Sequence, residues 1–97
     1  MIVALRTEYD ADIAYIPDIC SEKIESYYDA FLKWLYDKKT DHKYWVYRNG
    51  RKYGVSYSGD AFVYWLNRFI LMDSDDQAKI IQKSTNDYDR SMTTLYF

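Results

Sequence analysis

The sequence predicts an α+β domain, and three features predict it. Two aromatic, β-prone arms are joined by Asn49-Gly50, an apolar stripe with helical spacing follows Pro17, and β-prone residues open and close the chain. Segments of period 2 and period 3.6 in this order suit a small, mostly antiparallel sheet, including a hairpin over residues 43–57, packed against about three helices. No linker, repeat or low-complexity tract divides the 97 residues, so they are read as one globular domain over 1–97.

Taken in order, Ile2 to Tyr9 reads as a strand with Val3 and Leu5 on one face, and Ile13 to Ile16 as a second short strand or an extended approach to the first helix. Pro17-Asp18 marks a break. Ile24, Tyr28, Phe31 and Leu35 then fall at i, i+4, i+7 and i+11, early acids (Glu22, Glu25, Asp29) and late Lys38-Lys39 suit the helix dipole, and the helix is expected to run to about Lys38. The arms on either side of Asn49-Gly50 form a two-residue hairpin, because these residues tolerate the positive φ that a type I′ turn requires. With Arg48 facing Arg51, the expected register pairs Tyr47 with Lys52, Val46 with Tyr53, Trp45 with Gly54 and Tyr44 with Val55. Tyr44, Val46, Tyr53 and Val55 would face a core, and Lys43, Trp45, Tyr47 and Lys52 would face outward.

Ser58-Gly59-Asp60 reads as the turn into a second helix at about 61–72 that is apolar almost all round, and is therefore either central or buried against another chain. Ser74-Asp75-Asp76-Gln77 has the form of a capping box and predicts a third helix to about Ser84. The end, Met92 to Phe97, is β-prone and is expected to pair with a sheet edge, in particular that of the N-terminal strand.

Composition narrows the functional classes. The chain is 48% hydrophobic with one Pro and three Gly, so it folds; its 12 tyrosines suit surfaces that bind other proteins. The net charge of −2 conceals a segregation: three Lys/Arg against eight Asp/Glu over 1–37, six against one over 38–57, and four against six over 58–97. The hairpin is a basic island between acidic flanks, which argues against a generally basic nucleic-acid binder. Cys20 and His42 are each the only residue of their kind, so an internal disulfide and a Cys₂-type zinc site are excluded, and a Cys–His pair has no sequence support. The three glycines are isolated, so no phosphate loop is present. Asp73 to Asp76 lacks the glycine and distal Glu of a calcium loop, and Asp10 with Asp12 reads as a solvated edge. No catalytic residue, metal or cofactor is expected, and the protein is read as a non-enzyme. The N-terminus is no secretory signal, and the longest apolar run, Ala61 to Met72, is too short to span a membrane, so a cytoplasmic location is expected.

The candidate partner-binding residues are Lys43, Trp45, Tyr47, Arg48, Arg51 and Lys52. Trp, Tyr and Arg dominate protein contacts, and the same set would stack bases and engage phosphates of a single-stranded nucleic acid. A third reading is a structural subunit that self-associates, as a homodimer, through the 61–72 helix. In type, a compact, acidic, aromatic-rich single domain without catalytic residues resembles the small inhibitors carried by phages and mobile elements, such as anti-CRISPR proteins, or bacterial immunity proteins. The resemblance is one of composition. It implies stoichiometric binding to a partner protein, with hairpin aromatics as anchors.

Overall fold

A computed structural model describes residues 1–97 and gives six strands in two sheets with two α-helices. The N-terminal alternation makes β1 (Ile2–Arg6) and β2 (Ala11–Tyr15), which pair antiparallel with Ile2 opposite Tyr15 and Arg6 opposite Ala11. Val3, Leu5, Ala14 and Ile16 enter the main core, and Ala4, Ala11 and Ile13 form a smaller cluster beneath Tyr88 and Met92. Both faces at the sheet centre are thereby covered. The chain end forms β6 (Thr94–Tyr96), parallel to β1 with Leu95 beside Leu5, as the β-prone tail predicted.

The first helix follows its stripe. A 3₁₀ turn over Asp18–Lys23 leads into α1 (Ile24–Tyr36), which buries Ile24, Phe31 and Leu35. Phe31 is an aromatic hub, with the rings of Phe62, Phe97, Tyr57 and Trp65 edge-on at 5.4 to 6.3 Å. The hairpin strands are β3 (Trp45–Arg48) and β4 (Arg51–Val55), and they form a separate two-stranded sheet, not part of the main one as expected.

The second helix is shorter than its apolar run. It comprises α2 (Gly59–Trp65) and a π turn over Leu66–Ile70, closed by the Leu71 N–H donating to Leu66 O at 2.8 Å. In this wider turn Asn67 reaches the sheet: its amide accepts from the Ala78 N–H at 2.8 Å and donates to Ala78 O at 3.0 Å.

The third helix does not form; two helices and not three pack on the sheet. Residues 79–85 are instead the edge strand β5 (Lys79–Thr85), completing the order β5-β2-β1-β6. Ser74 to Gln77 close a turn, with Ser74 Oγ accepting from the Asp76 N–H at 3.1 Å and Gln77 Nε2 donating to Ser74 O at 2.8 Å. Asn67 then holds Ala78 in extended pairing, and the β-branched Ile80 and Ile81 continue as a strand. Ala78 and Ile80 meet the core at period 2, whereas Ile81, which a helix would set beside Ala78 at i+3, is exposed.

One buried carboxylate joins these layers. Asp12, expected at a solvated edge, is 4% exposed, and its two oxygens accept from the Gly59 N–H at 2.8 Å and the Ser84 N–H at 2.9 Å. Ser84 lies where the β2–β5 register shifts, and its φ of +55° turns its amide toward the carboxylate. Gly59 is required by contact: a Cβ there would lie 2.9 Å from Leu5 Cβ and 3.0 Å from Asp12 Cβ.

Candidate partner-binding hairpin

The turn forms as its sequence dictates. Asn49 and Gly50 have φ of +53° and +75°, and Arg48 and Arg51 face each other across it, followed by Tyr47 opposite Lys52. Beyond that pair the register shifts by one residue. Val46 opposes Gly54 and Trp45 opposes Val55, which leaves Tyr53 as the extra residue of a β-bulge. The expected core face is thereby broken: Tyr44 is buried and Val55 half-buried, but Val46 and Tyr53 are exposed.

The expected outward face is corrected as well. Trp45 is only 8% exposed, and its indole N–H donates to Thr40 O at 2.7 Å. His42 lies between Trp45 (ring centroids 5.1 Å apart, planes within 5°) and Trp34 (4.5 Å). Its Nδ1 accepts from the Tyr44 N–H at 3.2 Å and its Nε2 lies 2.8 Å from Leu35 O, so both ring nitrogens are engaged between the end of α1 and the start of the hairpin. Lys52 holds its ammonium over the Trp45 ring, 5.3 Å from the ring centre, and donates to Lys38 O (2.6 Å), Thr40 O (2.5 Å) and Asp41 Oδ1 (2.5 Å), leaving 14% of its side chain exposed. The ammonium holds the Asp41 carboxyl below its ordinary pKa. An isolated two-stranded hairpin is marginal in water, and these contacts supply the anchorage it needs.

The six sequence candidates therefore divide into a base and a tip. Trp45 and Lys52 belong to the base. Lys43 turns toward α2, its Nζ 5.4 Å and 5.5 Å from the Tyr44 and Tyr64 ring centres. Tyr47, Arg48 and Arg51 are exposed at the tip, and neither guanidinium is ion-paired within the fold. The bulge adds Tyr53, which the sequence reading placed in the core; it is 66% exposed, with the Arg48 guanidinium 4.7 Å from its ring centre. Gly54 beside it was the available signal, since a glycine inside a strand marks a bulge. Arg48, Asn49, Arg51, Lys52 and Tyr53 line an open recess of about 500 Å³ at the turn.

Beside the base, Tyr44 buries a hydroxyl that has no hydrogen-bond partner. Burial, with the nearby Asp60 and Tyr64 adding to it, pushes its pKa up to about 12, and burial also raises that of Tyr57. Both groups titrate above the ordinary 10.0 in the folded chain, so their contribution to stability is complete below pH 10 and is lost as pH rises through the folded values. Denaturant unfolding from pH 8 upward is expected to show constant stability to about pH 10 and a decline beyond it. Tyr44→Phe is expected to be more stable at neutral pH by about 1 kcal/mol and to decline less steeply.

A second exposed feature lies on the other side of Lys43. The π turn turns Phe69, Ile70 and Met72 outward together with Tyr64, and Trp34 packs against Tyr64 and Phe69 at 6.4 and 5.9 Å. The long apolar run is thus divided, with Phe62, Val63, Trp65 and Leu66 in the core and these four side chains at the surface. No group of three or more His, Cys, Asp or Glu side chains converges as a metal site, Cys20 is a buried free thiol, and no helix is long and apolar enough to cross a membrane. Compared with protein-family models, curated proteins and solved structures, the chain shows no match.

Proposed function

We propose that this protein is a non-catalytic binding protein that presents its hairpin tip to an acidic surface of a partner protein, as a stoichiometric inhibitor of the phage, mobile-element or immunity type. The observation that carries this reading is the division of the hairpin. Its base is fixed by Trp45, His42 and Lys52, whereas Tyr47, Arg48, Arg51 and Tyr53 project with no intramolecular ion pair. A tip carried on a fixed base has less backbone freedom to lose on docking, and Tyr and Arg are the side chains that dominate such contacts. The basic tip is drawn to a surface of opposite sign, and the acidic flanks disfavour a polyanion laid along the whole chain.

The test uses the wild type and an Arg48→Glu/Arg51→Glu variant as bait in host lysate, followed by calorimetric titration of the recovered partner. One-to-one binding lost in the variant is the expected result. Recovery of no protein, together with salt-sensitive binding of single-stranded DNA or RNA that the variant lacks, would transfer the tip to the nucleic-acid reading. That reading has to manage without Trp45, whose ring is committed to His42 and Lys52.

A second reading, self-association, is favoured by the exposed Tyr64, Phe69, Ile70 and Met72, an apolar surface of the kind that marks interfaces. Sedimentation of the pure protein separates the two: a concentration-dependent dimer abolished by Phe69→Ser/Met72→Ser supports self-association, and a monomer at all concentrations removes it.

A further inference from the structure

We infer that the recess between Arg48 and Arg51 is a site for one phosphoryl group carried on a side chain of the partner protein, an inference that rests on the tip being the binding surface. Three observations point to a single dianion. Arg48 and Arg51 are cross-strand partners at the turn, both line its recess, and no carboxylate is paired to either; like charges so opposed on a hairpin repel. A carboxylate neutralises one of the two charges, whereas a phosphate monoester carries about −1.5 to −2 at neutral pH and neutralises both. The recess they line together with Asn49, Lys52 and Tyr53, about 500 Å³, is open enough to admit such a group.

The placement of the remaining cations distinguishes a point site from a track. Lys52 is held by Asp41 and two carbonyls at the base, and Lys43 lies against the Tyr44 and Tyr64 rings. A nucleic-acid backbone needs cations in succession along its path, and of the three cationic residues that line the recess only Arg48 and Arg51 have no ion-pair partner, the Lys52 ammonium being engaged at the base. Arginine also offers a fork of donors that engages phosphate oxygens two at a time, which lysine does not.

The test is an NMR titration of ¹⁵N-labelled protein with inorganic phosphate, acetate and an unphosphorylated thymidine oligonucleotide, at constant pH and ionic strength. Saturable shifts centred on residues 48–53 are expected with phosphate, with a dissociation constant on the order of 1 mM for so small a ligand. Acetate is expected to give none that saturate. Arg48→Lys/Arg51→Lys, which keeps the charge and removes the fork, is expected to weaken phosphate binding by about tenfold or more, with its hairpin amide shifts confirming the fold. Equal responses to phosphate and acetate, undiminished binding in the lysine variant, or tighter binding of the oligonucleotide would each overturn the inference. If phosphate does not bind but Arg48→Glu/Arg51→Glu still loses the captured partner, the phosphoryl site falls and the binding reading stands; if partner recovery is unaffected too, both fall.

Discussion

Asp12→Ala is expected to destabilise the protein by about 3 kcal/mol, the effect of stranding two amides that a carboxylate now satisfies. Each oxygen of Asp12 serves a different element, Gly59 at the entry to α2 and Ser84 at the distorted end of β5. The carboxylate also sits at the positive end of a helix too short to be stable alone. Asp12→Asn keeps the volume but turns an N–H₂ toward one of the two donors, so roughly half of that loss is expected. Glu8→Ala, at an exposed position in the connection between β1 and β2, is expected to change stability by less than about 0.5 kcal/mol. Denaturant unfolding of the three variants checks the order.

Trp45→Ala is expected to have an effect of similar size but different extent. Removing a buried tryptophan typically costs about 3–5 kcal/mol, here through the loss of the His42 stack, the Thr40 hydrogen bond and the surface on which Lys52 lies. These contacts hold a sheet separate from the four-stranded one, so the loss should fall on the hairpin first. Tyr47→Ala, at the exposed tip, is expected to leave unfolding almost unchanged and to act on binding. Circular dichroism in the aromatic region, compared with the midpoint of global unfolding, distinguishes local from global loss.

Local chemistry accounts for what the sequence revealed. Asn49-Gly50 specifies its turn through backbone conformation alone, and the stripe ending at Leu35 specifies α1 through one period. The tail residue Leu95 needed a sheet edge and found β1. The misread elements depend on partners distant in the chain. Ser74 to Gln77 has the residues of a helix start, yet Asn67 reaches across to Ala78 and begins a strand. Asp12 looks like any alternating acid until Gly59 and Ser84, 47 and 72 residues away, present their amides to it.

The site was legible as a place more than as a list. Charge segregation and the aromatic arms located the hairpin, and parity then assigned its faces. A one-residue bulge at Tyr53 inverts parity on one side of it, and the loop from Lys38 to Asp41 supplies acceptors that draw Lys52 and Trp45 inward. Pairing rules applied from the turn alone have no means of including either effect.

Backbone amide hydrogen exchange across Trp45–Val55 tests the division into a structural base and a presented tip most directly, measured in the wild type, Trp45→Ala and Arg48→Glu/Arg51→Glu. The account predicts that Trp45→Ala strips protection from the hairpin while β1 and β2 stay protected, and that the tip variant exchanges like the wild type. Hairpin amides that remain protected without Trp45, or that lose protection when only the tip charges are reversed, would contradict it.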